Sequence, residues 1–229
     1  MSGRPSLLDV FLPIMGVVLF SVGAIILGNL LDRRRCRALK QEARQLGLSF
    51  VSVAKLFDGP AIGELAVLLG ESSSPAVEKL MQGTISGHRV LVFNLRAYSL
   101  SGEGATVTTF AAFHSPASRL PVFQVRPKNL IDRCRGALVR TAVDRDMDSE
   151  FSKKFLLFHA DDAKERQFFT GCKLLHLRQC ADHFQIRSSP HWLLIFRPGG
   201  ITNARNLPQF VHVTSTIAFG LLDPELQPG

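Results

Sequence analysis

Ionisable side chains are missing from the sequence between Asp9 and Asp32. An uncharged, mostly apolar stretch of this length is typical of a membrane span. At about 1.5 Å per residue, a helix over residues 10–31 is about 33 Å long, and the hydrocarbon core of a bilayer is about 30 Å thick. We therefore predict a transmembrane helix at 10–31, preceded by a short N-terminal tail at 1–9.

A secretory signal peptide is the main alternative, but its usual features are missing. Such a signal has positive charge before a shorter apolar run and a small-residue cleavage site after it. Here Arg4 alone precedes the run, and Asp9 offsets its charge. The positive charge follows the run instead, at Arg33, Arg34, Arg35 and Arg37.

The position of these four arginines predicts the orientation of the chain. Positively charged flanks stay on the cytoplasmic side, where they contact anionic lipid headgroups. The short N-terminus would then lie outside and the C-terminal domain in the cytoplasm. The opposite orientation, with an extracytoplasmic domain, remains the alternative.

The net charge of +8 is weak evidence for a nucleic-acid partner. Residues 32–44 hold six cations and two acids, so half of the excess charge lies beside the predicted span. A second basic segment, at 119–140, contains one aromatic residue, Phe123. Sites for single-stranded RNA stack bases on several aromatic side chains. We expect the lipid bilayer, and no nucleic acid, as a partner.

The sequence lacks a complete catalytic, cofactor or disulfide motif. It has no G-x-S-x-G nucleophile motif, and residues 101–104 (SGEG) lack the lysine of a phosphate loop. The four cysteines are not spaced as a disulfide framework, which fits a reducing compartment. They are Cys36, Cys134, Cys172 and Cys180. We predict no catalytic residues and no cofactor.

Two patterns imitate metal sites without completing them. Four potential zinc ligands share one helical face, namely Cys172, His176, Cys180 and His183. They extend about 16 Å along the helix axis, too far to converge on one ion. Residues 144, 146 and 148 are aspartates that resemble the start of a calcium loop. Ser149 replaces the required glycine and Phe155 the bidentate glutamate, so no metal site is predicted.

Beyond residue 31, the pattern predicts an α+β fold in which antiparallel β-hairpins pack with helices. A basic juxtamembrane helix covers 32–47, with Gly47 as its C-terminal cap. Hairpins are predicted at 80–98 and 183–196, with single strands at 106–114, 122–126 and 155–159. Helices are predicted at 62–69, 172–180 and 207–221. A polar break at 144–150 divides the domain into two α+β subdomains, 48–143 and 144–229.

Three segments carry a resemblance to a known family. They are residues 83–93 (GTISGHRVLVF), residues 149–155 (SEFSKKF) with Asp162, and residues 193–199 (LLIFRPG). The chain resembles a family of uncharacterised bacterial single-pass membrane proteins of unknown function. The resemblance implies an N-terminal span, a basic juxtamembrane helix and a following domain of no known function. It implies no catalytic or binding residue. We expect the span to lie in the cell inner membrane.

These features favour a membrane-anchored protein whose domain acts by binding. We expect a non-catalytic binding or scaffold module at the cytoplasmic face of the membrane, with a membrane protein or a second copy of the chain as partner. The alternative is a membrane-anchored enzyme of unknown class. In that case His88, His114 or His159, each beside a predicted turn, would act as general base.

Overall fold

The computed structural model describes residues 7–51, 61–69, 76–98, 105–115, 120–128, 149–159 and 167–222. Within α1, the description of side chains covers Met15 and the residues from Phe20 onward. The predicted span at 10–31 therefore lies partly outside the described side chains. Cys134 and the aspartates at 144, 146 and 148 lie outside the described residues altogether.

The described helices lie mostly on one side of a central sheet. They are α1 (Leu7–Gln45), α2 (Ala61–Leu69), α3 (Ser149–Lys154), α4 (Gly171–Cys180) and α5 (Leu207–Leu222), with a 3-10 turn at Ala204–Asn206 before α5. The strands are β1 (Ser49–Phe50), β2 (Ala76–Ile85), β3 (His88–Tyr98), β4 (Ala105–His114), β5 (Phe123–Pro127), β6 (Phe155–His159), β7 (Gln185–Ser188) and β8 (Trp192–Phe196). The predicted α+β class with an antiparallel sheet is confirmed.

All the described strands belong to one antiparallel sheet, in the order β1-β2-β3-β4-β8-β7-β5-β6. The β2–β3 and β7–β8 hairpins were both predicted. In the first hairpin, Ser86 and Gly87 have φ values of 49° and 81°, as a two-residue hairpin turn of this hand requires. Local turn chemistry thus sets the register, with Ile85 opposite His88.

The sheet extends across the predicted subdomain boundary. β4 from the first half pairs with β8 from the second, and β5 lies between β7 and β6. The boundary between 143 and 144 lies outside the described residues, so the division into two subdomains stays a prediction. The strands on its two sides nevertheless form one continuous sheet.

Helices cover both faces of the sheet. On one face α1, α3, α4 and α5 share a hydrophobic core with Val90 and Val92, and on the other α2 shares a second core with Leu91 and Phe93. The sequence predicts one dry and one half-wet face for β3. Instead, residues 90–95 are all buried, because an apolar element lies over each face.

The predicted span and the predicted juxtamembrane helix join in a single helix, α1. Near its C-terminus, Leu39 and Ala43 enter the core. Gly47, at φ +72°, ends the helix as predicted, and the amide of Leu48 donates to the carbonyl of Ala43 at 2.8 Å. Among the residues described by the structure, no helix combines the length and the apolarity that crossing a membrane requires.

Candidate functional site

Between Phe20 and Leu31, α1 exposes apolar side chains on every side. The large ones are between 44% and 79% exposed, namely Phe20, Val22, Ile25, Ile26, Leu27, Leu30 and Leu31. At about 100° per residue, their directions are spread around the whole helix. A water-facing surface helix keeps its apolar side chains on one face, and a helix that is apolar all round needs an apolar environment.

The cations that follow this stretch are also exposed. Arg33, Arg34, Arg35 and Arg37 are exposed, and none of the four has a carboxylate partner among the described residues. All four sequence-predicted contact residues thus present their charge to the surroundings.

Asp32, the first of the two acids in residues 32–44, forms an ion pair with the domain. Its Oδ1 lies 3.5 Å from Nζ of Lys79. Lys79 has an unusual φ of 52° and lies in a β-bulge of β2, between Glu78 and Met81. A bulge re-aims a side chain, and here it directs Lys79 toward Asp32. No local pattern in the sequence predicts this contact.

A polar cluster at the other end of the sheet connects α2 to the β7–β8 turn. Oε1 of Glu64 accepts a hydrogen bond from Nδ1 of His191 at 2.9 Å, and Oε2 accepts one from the Ser189 hydroxyl at 3.1 Å. Desolvation raises the pKa of Glu64, but the bonds from His191 and Ser189 outweigh it and lower the pKa below 4.5. The carboxylate form is therefore the one that fixes α2.

Of the predicted general bases whose side chains the structure describes, His114 lies near this cluster. Its ring is 4.7 Å from the ring of buried Trp192. Desolvation lowers its pKa below 6.5, and the charges of Arg89 and His191 lower it further, against an opposing effect of Glu64. His114 is therefore neutral at pH 7.

This geometry resembles half of an acid–base site. Glu64 occupies Nδ1 of His191, and no described residue bonds to Nε2, as in a carboxylate–histidine pair. The Ser189 hydroxyl donates to Glu64 and not to His191, so the cluster is not a nucleophile triad. Glu64 and His191 are far apart in the sequence, and no local pattern links them.

The other sequence-derived candidates do not come together. His88 packs against Phe219, with ring centroids 5.5 Å apart, and the side chain of His159 lies outside the description. His176 bonds to the carbonyl of Thr216, while Cys172 and His183 are exposed. Among the described residues, no group of three potential ligands could hold a metal ion.

The basic segment at 119–140 is described for residues 120–128 only. Phe123 is buried there, and the guanidinium of Arg126 lies 5.5 Å from the Phe158 ring. Phe123 is thus part of the core and is not available for base stacking.

Comparison with known proteins gives a structural likeness without a family. No protein-family model matches the chain, and no curated protein matches it. Among solved structures, the chain is similar to the crystal structure of the mycobacterial trehalose monomycolate transport factor A, TtfA. The TM-score is 0.50 at 16% identity, and the match covers 86% of this chain and 98% of that one. At this identity the likeness concerns the fold alone.

Proposed function

We propose that the protein is anchored in a membrane by residues 10–31 and that its α+β domain is a non-catalytic binding module at the cytoplasmic face. The observation that carries the proposal is the exposed apolar surface of α1 from Phe20 to Leu31, which is followed by four exposed arginines. In water this surface would be costly, at roughly 25 cal/mol per Å² of apolar area. In lipid the same surface is favourable, and the arginines reach the headgroups.

The proposed partner is a membrane protein or a second copy of this chain. A domain held at the bilayer surface meets other membrane-bound proteins at raised effective concentration, so modest contacts suffice for binding. The fold is shared with a protein named for trehalose monomycolate transport. From that likeness we infer the fold alone, and we infer nothing about a transported molecule.

Flotation of the intact chain with lipid vesicles tests the anchor. We expect the chain to float with vesicles and to resist extraction at alkaline pH, as integral proteins do. The variant I25E/I26E places two charges in the apolar stretch and should reduce membrane insertion. The matched variant E42Q/R44Q changes the docked end of α1 and should not. An intact chain that stays in the aqueous fraction contradicts the proposal.

The orientation has its own test. Alkaline phosphatase fused after Gly229 should be inactive if the domain is cytoplasmic, and a fused fluorescent protein should be bright. Active phosphatase reverses the orientation while leaving the anchor in place.

A second candidate, an anchored enzyme, is favoured by the Glu64–His191 pair alone. His191 would act as general base through Nε2. H191Q should then abolish turnover in an activity screen while the protein stays folded, whereas a binding module shows no turnover in either form.

A further inference from the structure

In the part of the chain that the structure describes, one edge of the sheet lacks the usual protection of an edge strand. β6 is the last strand in the order and pairs with β5 alone. An edge strand presents a row of unpaired backbone N–H and C=O groups, which proteins protect with a bulge, a proline or a charge. The register of β6 with β5 is regular, and its sequence, FLLFH, contains no proline, lysine, arginine or acid.

The opposite edge has that protection. β1 is two residues long, and β2 has a bulge at Lys79. α1 lies along this edge, because Asp32 contacts Lys79, and a β-carbon on Gly83 would meet the carbonyl oxygen of Gly47 at 2.7 Å. The two edges of the sheet therefore differ in what they offer to a further strand.

The pairing with β5 fixes which backbone groups of β6 point outward. The amide of Lys128 donates to the carbonyl of Lys154 at 2.8 Å, in the register of the β5–β6 pairs. Hydrogen-bonded residues alternate along a strand of an antiparallel pair. The even-numbered residues of β6 therefore bond to β5. The open edge has the carbonyl of Phe155 and both backbone groups of Leu157 and His159.

The side chains at this edge are apolar on both faces of the sheet. Phe155 and Leu157 are buried in the larger core. On the other face Leu156 is half-buried, and Phe158 is 40% exposed. A strand added beside β6 would cover Phe158 and would place its own side chains next to apolar neighbours on each face. The edge therefore fits an extended, largely apolar segment.

A second copy of the anchored chain does not fit this edge. Antiparallel pairing of two copies of β6 requires a two-fold axis perpendicular to the sheet, and this axis reverses every direction within the plane of the sheet. α1 lies along β2 between Lys79 and Gly83, so the two copies of α1 would point in opposite directions. They could not both enter one bilayer. The partner at this edge is therefore a different chain.

We propose that β6 is a docking edge, at which an extended segment of a membrane protein adds a ninth strand to the sheet. The segment bonds through its backbone to Leu157 and His159, and its apolar side chains cover Phe158. This inference rests on the proposed function, because the anchor holds the domain beside other membrane proteins. It specifies the partner as a different chain and its bound conformation as a strand.

Crosslinking of the full chain in its native membranes locates the partner. The photo-crosslinking amino acid p-benzoylphenylalanine replaces Phe158 or, as a control, Leu175, an exposed apolar residue of α4. We expect several-fold more adduct at 158 than at 175, with one membrane protein and within one uninterrupted segment of it. The lack of an adduct at 158, or an adduct between two copies of the chain, overturns the inference.

N-methylation of the crosslinked segment tests strand addition itself. The segment is synthesised as a fluorescent peptide, and its binding to the full chain in lipid nanodiscs is measured by anisotropy. A strand bonds to one neighbour through alternate residues, so methylating one alternate set of amides should weaken binding at least about tenfold. Methylating the other set should leave the affinity unchanged. Equal effects of the two sets overturn strand addition.

Matched lysine variants test the docking edge from the side of the domain. F158K places a cation there, as proteins do to protect an edge strand, whereas L175K places the same charge on α4. F158K should weaken peptide binding several-fold and L175K should not, while the buried Trp192 reports that both variants are folded. Equal affinities of F158K and the wild type refute the contact with Phe158.

The crosslinking result also separates this inference from the proposed function. An adduct at 175 without one at 158 overturns the docking edge and leaves the binding function in place. The absence of adducts at both positions, in a chain that does not float with vesicles, contradicts the proposed function as well.

Discussion

A methyl group added at Gly220 should destabilise the protein only while His176 is present. Gly220 lies in α5, and a β-carbon there would overlap the imidazole ring of His176. That ring is held by a 2.9 Å hydrogen bond to the carbonyl of Thr216. The ring must therefore move and lose this bond, or α4 and α5 must separate.

The magnitude follows from two opposing contributions. Overpacking costs about 1–3 kcal/mol, and replacing glycine by alanine within a helix gains up to about 1 kcal/mol. Gly220→Ala should therefore lower the free energy of unfolding by about 0–2 kcal/mol in the wild type. In the His176→Ala background the clash is gone, and the same change should raise it by up to about 1 kcal/mol. The difference, about 1–3 kcal/mol, is the coupling between the two residues.

Urea unfolding in mild detergent measures this coupling. Trp192 is the only tryptophan in the sequence and is buried, so its fluorescence reports unfolding of the domain. Gly171→Ala is the matched control, because a β-carbon at Gly171 meets nothing within 4 Å. An identical effect of Gly220→Ala in both backgrounds would refute the packing of His176 on α5.

Three further predictions concern buried or paired polar groups. Thr109→Val removes the hydroxyl that bonds to Asn94 and to the amide of Thr202, so the free energy of unfolding measured in urea should fall by about 2–4 kcal/mol. Thr109→Ser keeps the hydroxyl and should retain most of the wild-type stability. Because the pKa of Glu64 is lowered in the fold, its carboxylate contributes fully to the free energy of unfolding above pH 4.5, and this contribution is lost as the pH falls through the folded pKa. The free energies of unfolding of Glu64→Gln and the wild type should therefore converge in acid. The pKa of His114 is also lowered, so the neutral ring contributes fully to the free energy of unfolding above pH 6.5, and this contribution declines below that pH. In the His114→Gln variant, the urea midpoint of unfolding should therefore change less between about pH 7 and 5 than in the wild type.

Elements with local signals could be predicted from the sequence. The β2–β3 hairpin has a two-residue turn that ends in glycine, the C-terminus of α1 has Gly47, and α5 has an apolar helical repeat. Each depends on neighbouring residues, so the pattern is visible without the fold. The start of β2 was placed four residues too late, at 80 instead of Ala76, because the bulge at Lys79 breaks the alternation.

Contacts between distant segments could not be predicted. The pairing of β4 with β8, the Glu64–His191 hydrogen bond and the Asp32–Lys79 ion pair join residues far apart in the chain. They depend on which strands become neighbours, and the hydrophobic pattern is the same for many strand orders. The polar cluster at α2 is therefore visible only in the structure.

The depth of α1 in a bilayer tests the central claim most directly. A fluorescent amino acid would replace Phe20, near the middle of 10–31, or Leu31, at its end, in chains reconstituted into vesicles. The account predicts that nitroxides deep in the acyl chains quench the probe at 20 most, and that headgroup nitroxides quench the probe at 31 most. Efficient quenching of both probes by aqueous iodide, with none by lipid nitroxides, would contradict a helix that lies in lipid.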